Sequence, residues 1–111
     1  MSAADMMLMM SVQVVIMTLV IVLIHAGAGA VGHLAIQLAK RQGAFITTTA
    51  QEENFAWLKQ YGADQCVDYT QSDFTKIVSN IDVVIDLVGG KTGLDSIQVL
   101  KPGGRLVTIP T

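Results

Sequence analysis

A glycine-rich turn directly after a short aliphatic run is the feature that most constrains this chain. Gly27, Gly29 and Gly32 have the spacing G-x-G-x-x-G, and the run before them, Val20–Ile24, is uncharged, aliphatic and mostly β-branched. This order predicts a buried strand, a tight turn and a helix, the context in which such a turn binds a dinucleotide. Gly27 would permit the turn, Gly29 would let the backbone approach a pyrophosphate, and Gly32 would let the helix pack on the strand. A glycine-rich turn without a ligand is the alternative.

Further strand-like stretches alternate with helix-like stretches along the chain. The predicted strands after Val20–Ile24 are Phe45–Thr49, Gln65–Asp68, Val83–Leu87 and Arg105–Ile109. Short connections between strands and helices favour parallel pairing, with helices on both faces of the sheet. We therefore predict one α/β domain over residues 20–111, a Rossmann-like, doubly wound parallel sheet of about five strands.

Two helices are predicted on the amino-terminal side of the third strand. The first runs from about Ala30 to Gln42 and ends before Gly43, and its inner side is assigned to Leu34, Leu38 and the alanines. The second begins at a capping box and ends at Gly62. The residues that define this second helix are Thr49 and Glu52 in the box, and Phe55, Leu58 and Tyr61 on the apolar side.

Two more helices are predicted after the third strand, each from three apolar residues at helical spacing. One starts near Ser72 and buries Phe74, Ile77 and Val78. The other is marked by Leu94, Ile97 and Leu100, and Lys101–Gly104 then turns the chain into the fifth strand.

Composition and charge exclude several classes of function. The chain has 111 residues, 51% of them hydrophobic, and a formal net charge of −2. No basic run exceeds Lys40-Arg41, so a nucleic-acid-binding surface is not expected. The single Cys66 excludes an internal disulfide and a Cys-rich metal site, and is expected to be a small core residue. We expect a cytoplasmic protein with no metal ligand and no assigned catalytic residue.

The N-terminal region permits more than one interpretation. Met6 to Ile24 is uncharged and just long enough to span a bilayer. However, no Lys or Arg precedes it, as a signal peptide or an anchored span would require. We favour a strand for its second half, with a membrane or signal segment as the alternative. For residues 1–19, a disordered tail, an extra strand and an oligomer contact all stay open.

The end of the second predicted strand bears on the choice of cofactor. NAD-specific sites place an acidic residue there to bind the ribose 2′-hydroxyl, whereas this chain has Thr47-Thr48-Thr49. The absence of a repelling carboxylate favours NADP(H) over NAD(H). This preference is slight, because the acidic residues Glu52 and Glu53 follow closely. Asp86 is interpreted as a satisfied strand-end carboxylate, and His25 and His33 as scaffold or cofactor-border residues.

Five motifs in order resemble one known family. Together they are similar to the medium-chain dehydrogenase/reductase superfamily, and within it to its quinone oxidoreductase and zinc-type alcohol dehydrogenase-like branch. The resemblance covers about residues 22–111. The motifs are Val22–Lys40, Tyr61–Asp64, Val67–Tyr69, Asp82–Gly90 and Leu100–Arg105.

The resemblance implies an NAD(P)H-binding domain of an oxidoreductase that transfers hydride to a quinone, enone or aldehyde. Pyrophosphate contacts are implied around Gly29, Ala30 and Val31, between Gly27 and Gly32 of the motif. The other implied contacts are the adenosine ribose at Thr48, Thr49 and Ala50, a phosphate at Tyr69, and the nicotinamide at Leu87, Val88, Gly89 and Ile109.

This sequence departs from the family pattern in several respects. Ala30 replaces a usual glycine, and the basic residue that NADP-using relatives often carry after the second strand is absent. The family's preceding barrel-like substrate domain, any catalytic zinc ligands and the sixth strand have no counterpart here, and residues 1–19 resemble nothing in it. We therefore expect a cofactor-binding domain that lacks full activity alone. An exposed fifth strand suggests a homodimer.

Two other functions stay open at this point. A similar Lys-Pro-Gly-Gly run also occurs in S-adenosylmethionine-dependent methyltransferases, although the acidic residues that they usually carry after the first and second strands are missing here. A non-catalytic, membrane-associated fragment is the third interpretation.

Overall fold

Five parallel strands form one sheet in the order β3-β2-β1-β4-β5, within residues 20–109 that this computed structural model describes. The strands are β1 (Ile21–His25), β2 (Phe45–Ala50), β3 (Gln65–Asp68), β4 (Ile81–Asp86) and β5 (Leu100–Thr108). The predicted doubly wound α/β fold is confirmed. The three interpretations of residues 1–19 fall outside the described residues.

The aliphatic run before the glycines forms the central strand of the sheet. β1 pairs with β2 on one side and with β4 on the other, and Leu23 and Ile24 are 0% exposed. Both faces of a central parallel strand are covered by helices, which explains its continuous apolar sequence. The strand interpretation of Val20–Ile24 is therefore confirmed. Within residues 20–109, no helix combines the length and the hydropathy needed to cross a membrane.

Three helices connect the strands. They are α1 (Ala30–Arg41), α2 (Phe55–Tyr61) and α3 (Lys91–Ile97). α1 and α2 end where glycines were predicted to end them, with φ of 85° at Gly43 and 131° at Gly62, values that favour glycine. The capping box is wrong: Thr49 stays in β2, and the short 3-10 helix Glu52–Asn54 precedes α2.

The helix predicted to start near Ser72 is also wrong. Only one 3-10 turn, Phe74–Lys76, forms there, begun by the Asp73 carboxylate, which accepts the Thr75 amide at 3.0 Å. Asn80 then adopts a left-handed φ of 53° and leads into β4. Val78 is buried as expected and Phe74 is half-buried, whereas Ile77 is 46% exposed because a single turn cannot keep all three apolar residues on one face.

The inner side of α1 differs from the prediction. Gly32 and Ile36, one turn apart, face the sheet, whereas Leu34 is 57% exposed and Leu38 60% exposed. Gly32 determines this rotation, because it contacts the glycine turn more closely than any side chain would allow. The same error affects α3, where Gly93 and Ser96 are buried and the predicted apolar residues are exposed, Leu94 by 69% and Ile97 by 56%.

Two apolar cores lie on opposite faces of the sheet. On the face covered by α1 and α2, Ile36 and Leu58 pack on Ile24 and Ile46. On the other face, Leu23 and Val84 pack with residues of the segments that precede β4 and β5. Each such buried side chain contributes about 1.5–3 kcal/mol relative to exposure. Cys66 packs against the first core, and burial raises the pKa of its thiol, as expected for a structural cysteine.

The run Lys101–Gly104 forms an irregularity inside β5. Ile81 pairs with Leu100 and Val83 pairs with Arg105, so the run protrudes between two regular parts of the ladder. Lys101 forms an ion pair there with Asp82, whose carboxylate also accepts the Ile21 amide at 2.7 Å. The predicted turn therefore exists, but as a bulge within the strand.

Candidate functional site

A cleft of ≈ 690 Å³ opens at the carboxyl ends of the strands and reaches across the gap between β1 and β4. The strand order reverses at this gap, which is the usual ligand position in open parallel sheets. Residues from the glycine turn, from the ends of β1 to β3 and from the β4–α3 region line it. They are His25, Ala26, Ala28, Gly29, Thr49, Ala50, Gln51, Asn54, Tyr69, Ser72, Asp73, Phe74, Val88, Thr92 and Asp95.

Two motif glycines are required by internal packing. A Cβ on Gly27 would lie 2.0 Å from Thr48 Oγ1, and a Cβ on Gly32 would lie 2.2 Å from the Ala26 carbonyl oxygen. Both residues are buried. These two positions therefore let β1, the turn and α1 pack at backbone distance.

Gly29 differs from the other two, because it lines the cleft and is exposed. Its φ of −73° suits any residue, and the one neighbour that a Cβ would approach is the Ala26 carbonyl oxygen at 3.3 Å. Ala30 and Val31 follow it, both exposed, and within residues 20–109 no group accepts a hydrogen bond from their amides. An N-terminal pair of free amides at the positive end of a 12-residue helix suits a phosphate group.

The ends of β2 and β3 form one side of the cleft. Thr49, Ala50 and Tyr69, which were predicted to contact the ribose and a phosphate, line it, and Tyr69 is 58% exposed. Thr48 does not line it, because its buried hydroxyl donates to the Ile24 carbonyl at 2.7 Å. Gln51 also belongs to this side, although sequence analysis did not select it.

The segment after β4 is held by Asp86. One carboxylate oxygen of this fully buried residue accepts the amides of Val88 at 2.9 Å and Gly89 at 3.0 Å, and its carbonyl accepts the Ile109 amide. Asp86 is thus the strand-end carboxylate expected, although its Oδ2 has no hydrogen-bond partner among the described residues. Val88 lines the cleft, whereas Leu87 is buried and Ile109 lies outside the lining.

The charged residues that line the cleft are acidic. Asp73 and Asp95 belong to the lining, which contains no Lys or Arg. Hydrogen bonds from the Thr75 side chain and amide lower the pKa of Asp73, which keeps it ionised. Asp95 forms an ion pair with Lys91 at 2.9 Å. Neutral groups and one unpaired carboxylate therefore dominate the surface that a dinucleotide would meet.

Sequence analysis missed several lining residues. His25 was interpreted only as a scaffold or cofactor-border residue, Ser72 to Phe74 were assigned to a helix, and Thr92 and Asp95 were not selected. The spacing of Thr92 and Asp95 places them on one side of a helix, but nothing in the sequence shows that this side faces the cleft.

The comparisons with known proteins agree on one family. The zinc-binding dehydrogenase family matches residues 30–110. The chain belongs to this family. It is a partial nucleotide-binding domain of the medium-chain dehydrogenase/reductase superfamily, as the five motifs predicted.

Three relatives illustrate the match. The chain is 38% identical over 90 residues to 2-methylene-furan-3-one reductase of Solanum lycopersicum, covering 79% of this chain and 23% of that protein. The quinone oxidoreductase structure from Coxiella burnetii is 50% identical, with a TM-score of 0.83 and coverage of 94% and 33%. The Escherichia coli quinone oxidoreductase complexed with NADPH is 30% identical, with a TM-score of 0.74 and coverage of 80% and 29%.

The chain spans about a quarter of the length of the curated relatives it matches. The relatives include proteins named as an NAD(P)H oxidoreductase, a furanone reductase and a quinone oxidoreductase complexed with NADPH, and these lend no support to the methyltransferase alternative. Despite the family's description, no group of three or more His, Cys, Asp or Glu side chains in the described residues could hold a metal ion. These residues therefore do not fit a zinc site.

Proposed function

We propose that the chain is the cofactor-binding part of an NAD(P)H-dependent reductase that transfers hydride to a quinone, enone or aldehyde. The observation that carries this proposal is the glycine turn: Gly29 is open to the cleft and the amides of Ala30 and Val31 have no acceptor within the described range. The relatives named for quinone and furanone reduction support the substrate class.

The residues of this chain would bind and orient the cofactor. The free amides of Ala30 and Val31 would hold the pyrophosphate, and Thr49, Ala50 and Tyr69 would contact the adenosine half. Val88, with Leu87, Gly89 and Ile109 around it, would border the nicotinamide at the other end of the cleft. The cofactor supplies the hydride, and the protein supplies its position.

Titration of the purified chain with NADPH and NADH, followed by cofactor fluorescence, tests this proposal. We expect saturable binding in the wild type. Gly29→Asp places a carboxylate next to the phosphate position and should weaken binding by about a hundredfold or more, since a buried like-charge contact costs several kcal/mol. Ala56→Asp on α2 is exposed and outside the cleft lining, so it adds the same charge without affecting binding. No saturable binding by the folded wild type would refute the proposal.

We propose a small preference for NADPH over NADH. β2 ends in Ala50 rather than in an acidic residue, and the hydroxyls of Tyr69 and Ser72 line the cleft nearby. The margin is small because no cation lines the cleft and Asp73 is ionised. We expect the two dissociation constants to differ by less than about tenfold.

We also propose that these 111 residues bind the cofactor without efficient turnover and that the protein is cytoplasmic. A further proposal is that two copies of the chain pair through β5. β5 is an edge of the described sheet, and Val107 on it and Ile109 directly after it are more than two-fifths exposed. An exposed edge strand is a template for pairing with a second strand. Absence of NADPH-dependent quinone reduction, together with cofactor binding, is the expected result for the isolated chain.

A further inference from the structure

A chain of hydrogen bonds crosses the sheet where the cleft opens. His25, the last residue of β1, is 1% exposed, and each of its ring nitrogens contacts a hydroxyl on a different element. Nδ1 lies 3.0 Å from Thr49 Oγ1 on β2, and Nε2 lies 2.8 Å from Ser96 Oγ on α3. Because β1 lies between β2 and β4 and α3 follows β4, the imidazole joins the two sides of the cleft.

The groups at the two ends of this series of hydrogen bonds determine which atom donates in each bond. Ser96 Oγ is 2.6 Å from the Thr92 carbonyl oxygen, which can only accept, so Ser96 donates there and accepts from Nε2–H of His25. At the other end the Ala26 amide donates to Thr49 Oγ1 at 3.3 Å, and the Thr49 hydroxyl donates to Nδ1 of His25. This pattern fits a neutral imidazole with its proton on Nε2, in which both nitrogens are satisfied.

Ala26 connects this chain of bonds to the glycine turn. Its φ of 61° is left-handed, a conformation that a non-glycine residue adopts only when its surroundings hold it there. Its amide is held by Thr49, its carbonyl accepts the Gly29 amide at 3.0 Å, and Gly32 packs against the same carbonyl. The position of Ala26 therefore determines the path of the turn and the direction of the amides that follow.

We propose that neutral His25 is a positioning residue: through Thr49 it holds Ala26 and the glycine turn, and through Ser96 it fixes that turn relative to α3. Protonation puts a second donor at Nδ1, so Thr49 Oγ1 must accept from both this N–H and the Ala26 amide while its own hydroxyl proton loses its acceptor, and the hold on Ala26 weakens. This inference rests on the proposed function, because its consequence for binding requires that a dinucleotide occupies the cleft.

The charges around His25 set the direction of its pH dependence. Burial lowers the pKa of His25 below its usual 6.5, and the Asp86 carboxylate on β4 opposes that shift. The other elements packed near it contribute two charged groups: Asp95, which is paired with Lys91 on α3, and Asp73, which precedes Phe74. The polar residues of β2 are threonines, so this strand contributes no titratable group. The neutral, binding-competent form thus predominates at neutral pH and above, and it is lost as the pH falls through the lowered pKa.

Calorimetric titration of the full chain with NAD⁺ between about pH 8 and about pH 5 tests the proposal. NAD⁺ is the probe because it lacks a 2′-phosphate, a group that would itself titrate near pH 6. We expect affinity to fall about tenfold across this range, as one hydrogen bond is lost. His25→Asn keeps an acceptor near the Nδ1 position, so it should bind within about threefold of the wild type and lose the pH dependence.

Two further variants separate positioning from general structural damage. His25→Leu, which offers Thr49 no acceptor, should weaken binding about tenfold at every pH. His33, the other of the two histidines, bonds to Gln37 and packs on Trp57 outside the cleft lining. His33→Gln should therefore keep the wild-type pH profile. The proposal is wrong if the profile persists in His25→Asn or disappears in His33→Gln.

Nitrogen-15 spectra of the wild-type chain provide a second test that needs no ligand. We expect the neutral His25 ring to carry its proton on Nε2, and the amide signals of Ala26 and Gly27 to shift with the same midpoint as the ring. If neither NAD⁺ nor NADPH binds at about pH 8, the proposed function fails, and these spectra still decide whether His25 positions the turn. A proton on Nδ1, or signals of the turn amides that do not shift as the ring titrates, would overturn the positioning role of His25.

Discussion

The three glycines of one motif are needed for different physical reasons. Gly27 and Gly32 leave no space for a Cβ against the protein's own atoms, whereas Gly29 is open to the cleft. The spacing predicted the role of Gly32 correctly, because the G-x-G-x-x-G pattern reflects the close approach of a strand, a turn and a helix, whereas the approach of Gly29 to a pyrophosphate stays a prediction. It could not predict the hydrogen bonds of Thr48, which turn that hydroxyl away from the cleft.

The stability of two alanine variants should separate these roles. Gly32→Ala brings a Cβ to 2.2 Å from the Ala26 carbonyl, so the backbone must move, and we expect a loss of about 1–3 kcal/mol in the free energy of unfolding. Gly29→Ala meets the same atom at 3.3 Å and should lose less than about 1 kcal/mol. Urea denaturation measures both, and equal losses would contradict the distinction.

Cofactor preference should respond to one side chain at the end of β2. Gln51 lines the cleft directly after Ala50, so Gln51→Arg places a cation where a 2′-phosphate would lie. We expect NADPH to bind about tenfold more tightly and NADH affinity to change by less than about twofold, since charge-assisted bonds to phosphate are strong.

Gln60→Arg is the matched control for this change. Gln60 is exposed on α2 and does not line the cleft, so the same substitution there should leave the ratio of the two dissociation constants unaltered. An equal gain from both variants would show that net charge, and not a 2′-phosphate contact, causes the effect.

At the scale of the elements, strands were easier to predict than helix faces. β3 was predicted without error and β1, β2 and β4 within two residues, because β-branched runs and glycines bound them clearly, whereas β5 begins at Leu100, five residues before its predicted start. In α1 and α3 the large apolar residues were assigned to the wrong side, because small residues share the buried sides: Gly32 and Ala35 beside Ile36 in α1, and Gly93 and Ser96 in α3. Apolar periodicity weights leucine over glycine, so it selected the exposed sides.

Two substitutions on α1 test which side of the helix supports the fold. Ile36 is 0% exposed, so Ile36→Ala should cost about 2–5 kcal/mol through lost burial and a cavity. Leu38 is 60% exposed, so Leu38→Ala should change the free energy of unfolding by less than about 0.5 kcal/mol. Thermal and urea unfolding of both variants measure the difference. A larger loss from Leu38→Ala would indicate that another surface covers this side of α1.

At the scale of the whole molecule, the site belongs to the topology rather than to any one element. His25, Thr49 and Val88 come from different strand ends, and they meet because the order β3-β2-β1-β4-β5 reverses between β1 and β4. The alternation of strands and helices predicted this arrangement and therefore the place of the cleft. It could not predict the contribution of Ser72 to Phe74, because their path depends on the local Asp73 cap rather than on periodicity.

The proposed pairing of two copies depends on which atoms of β5 point outward. The Ile109 amide donates to the Asp86 carbonyl at 3.0 Å, so alternate residues of β5 bond to β4. The residues between them, Leu106 and Thr108, direct their amides toward the open edge. A second copy that pairs along this edge would accept from the Thr108 amide, since an edge strand offers its unpaired groups to a neighbour.

Thr108→Pro should therefore abolish dimerisation while the β4–β5 ladder persists, because proline removes only the outward donor. Sedimentation equilibrium at about 100 μM chain should give a dimer mass for the wild type and a monomer mass for Thr108→Pro. At this concentration an interface of micromolar affinity is nearly saturated. Thr108→Val keeps the amide and the strand propensity, so it should stay dimeric. A monomeric wild type would refute pairing through β5, and a dimeric Thr108→Pro would assign the interface to another surface.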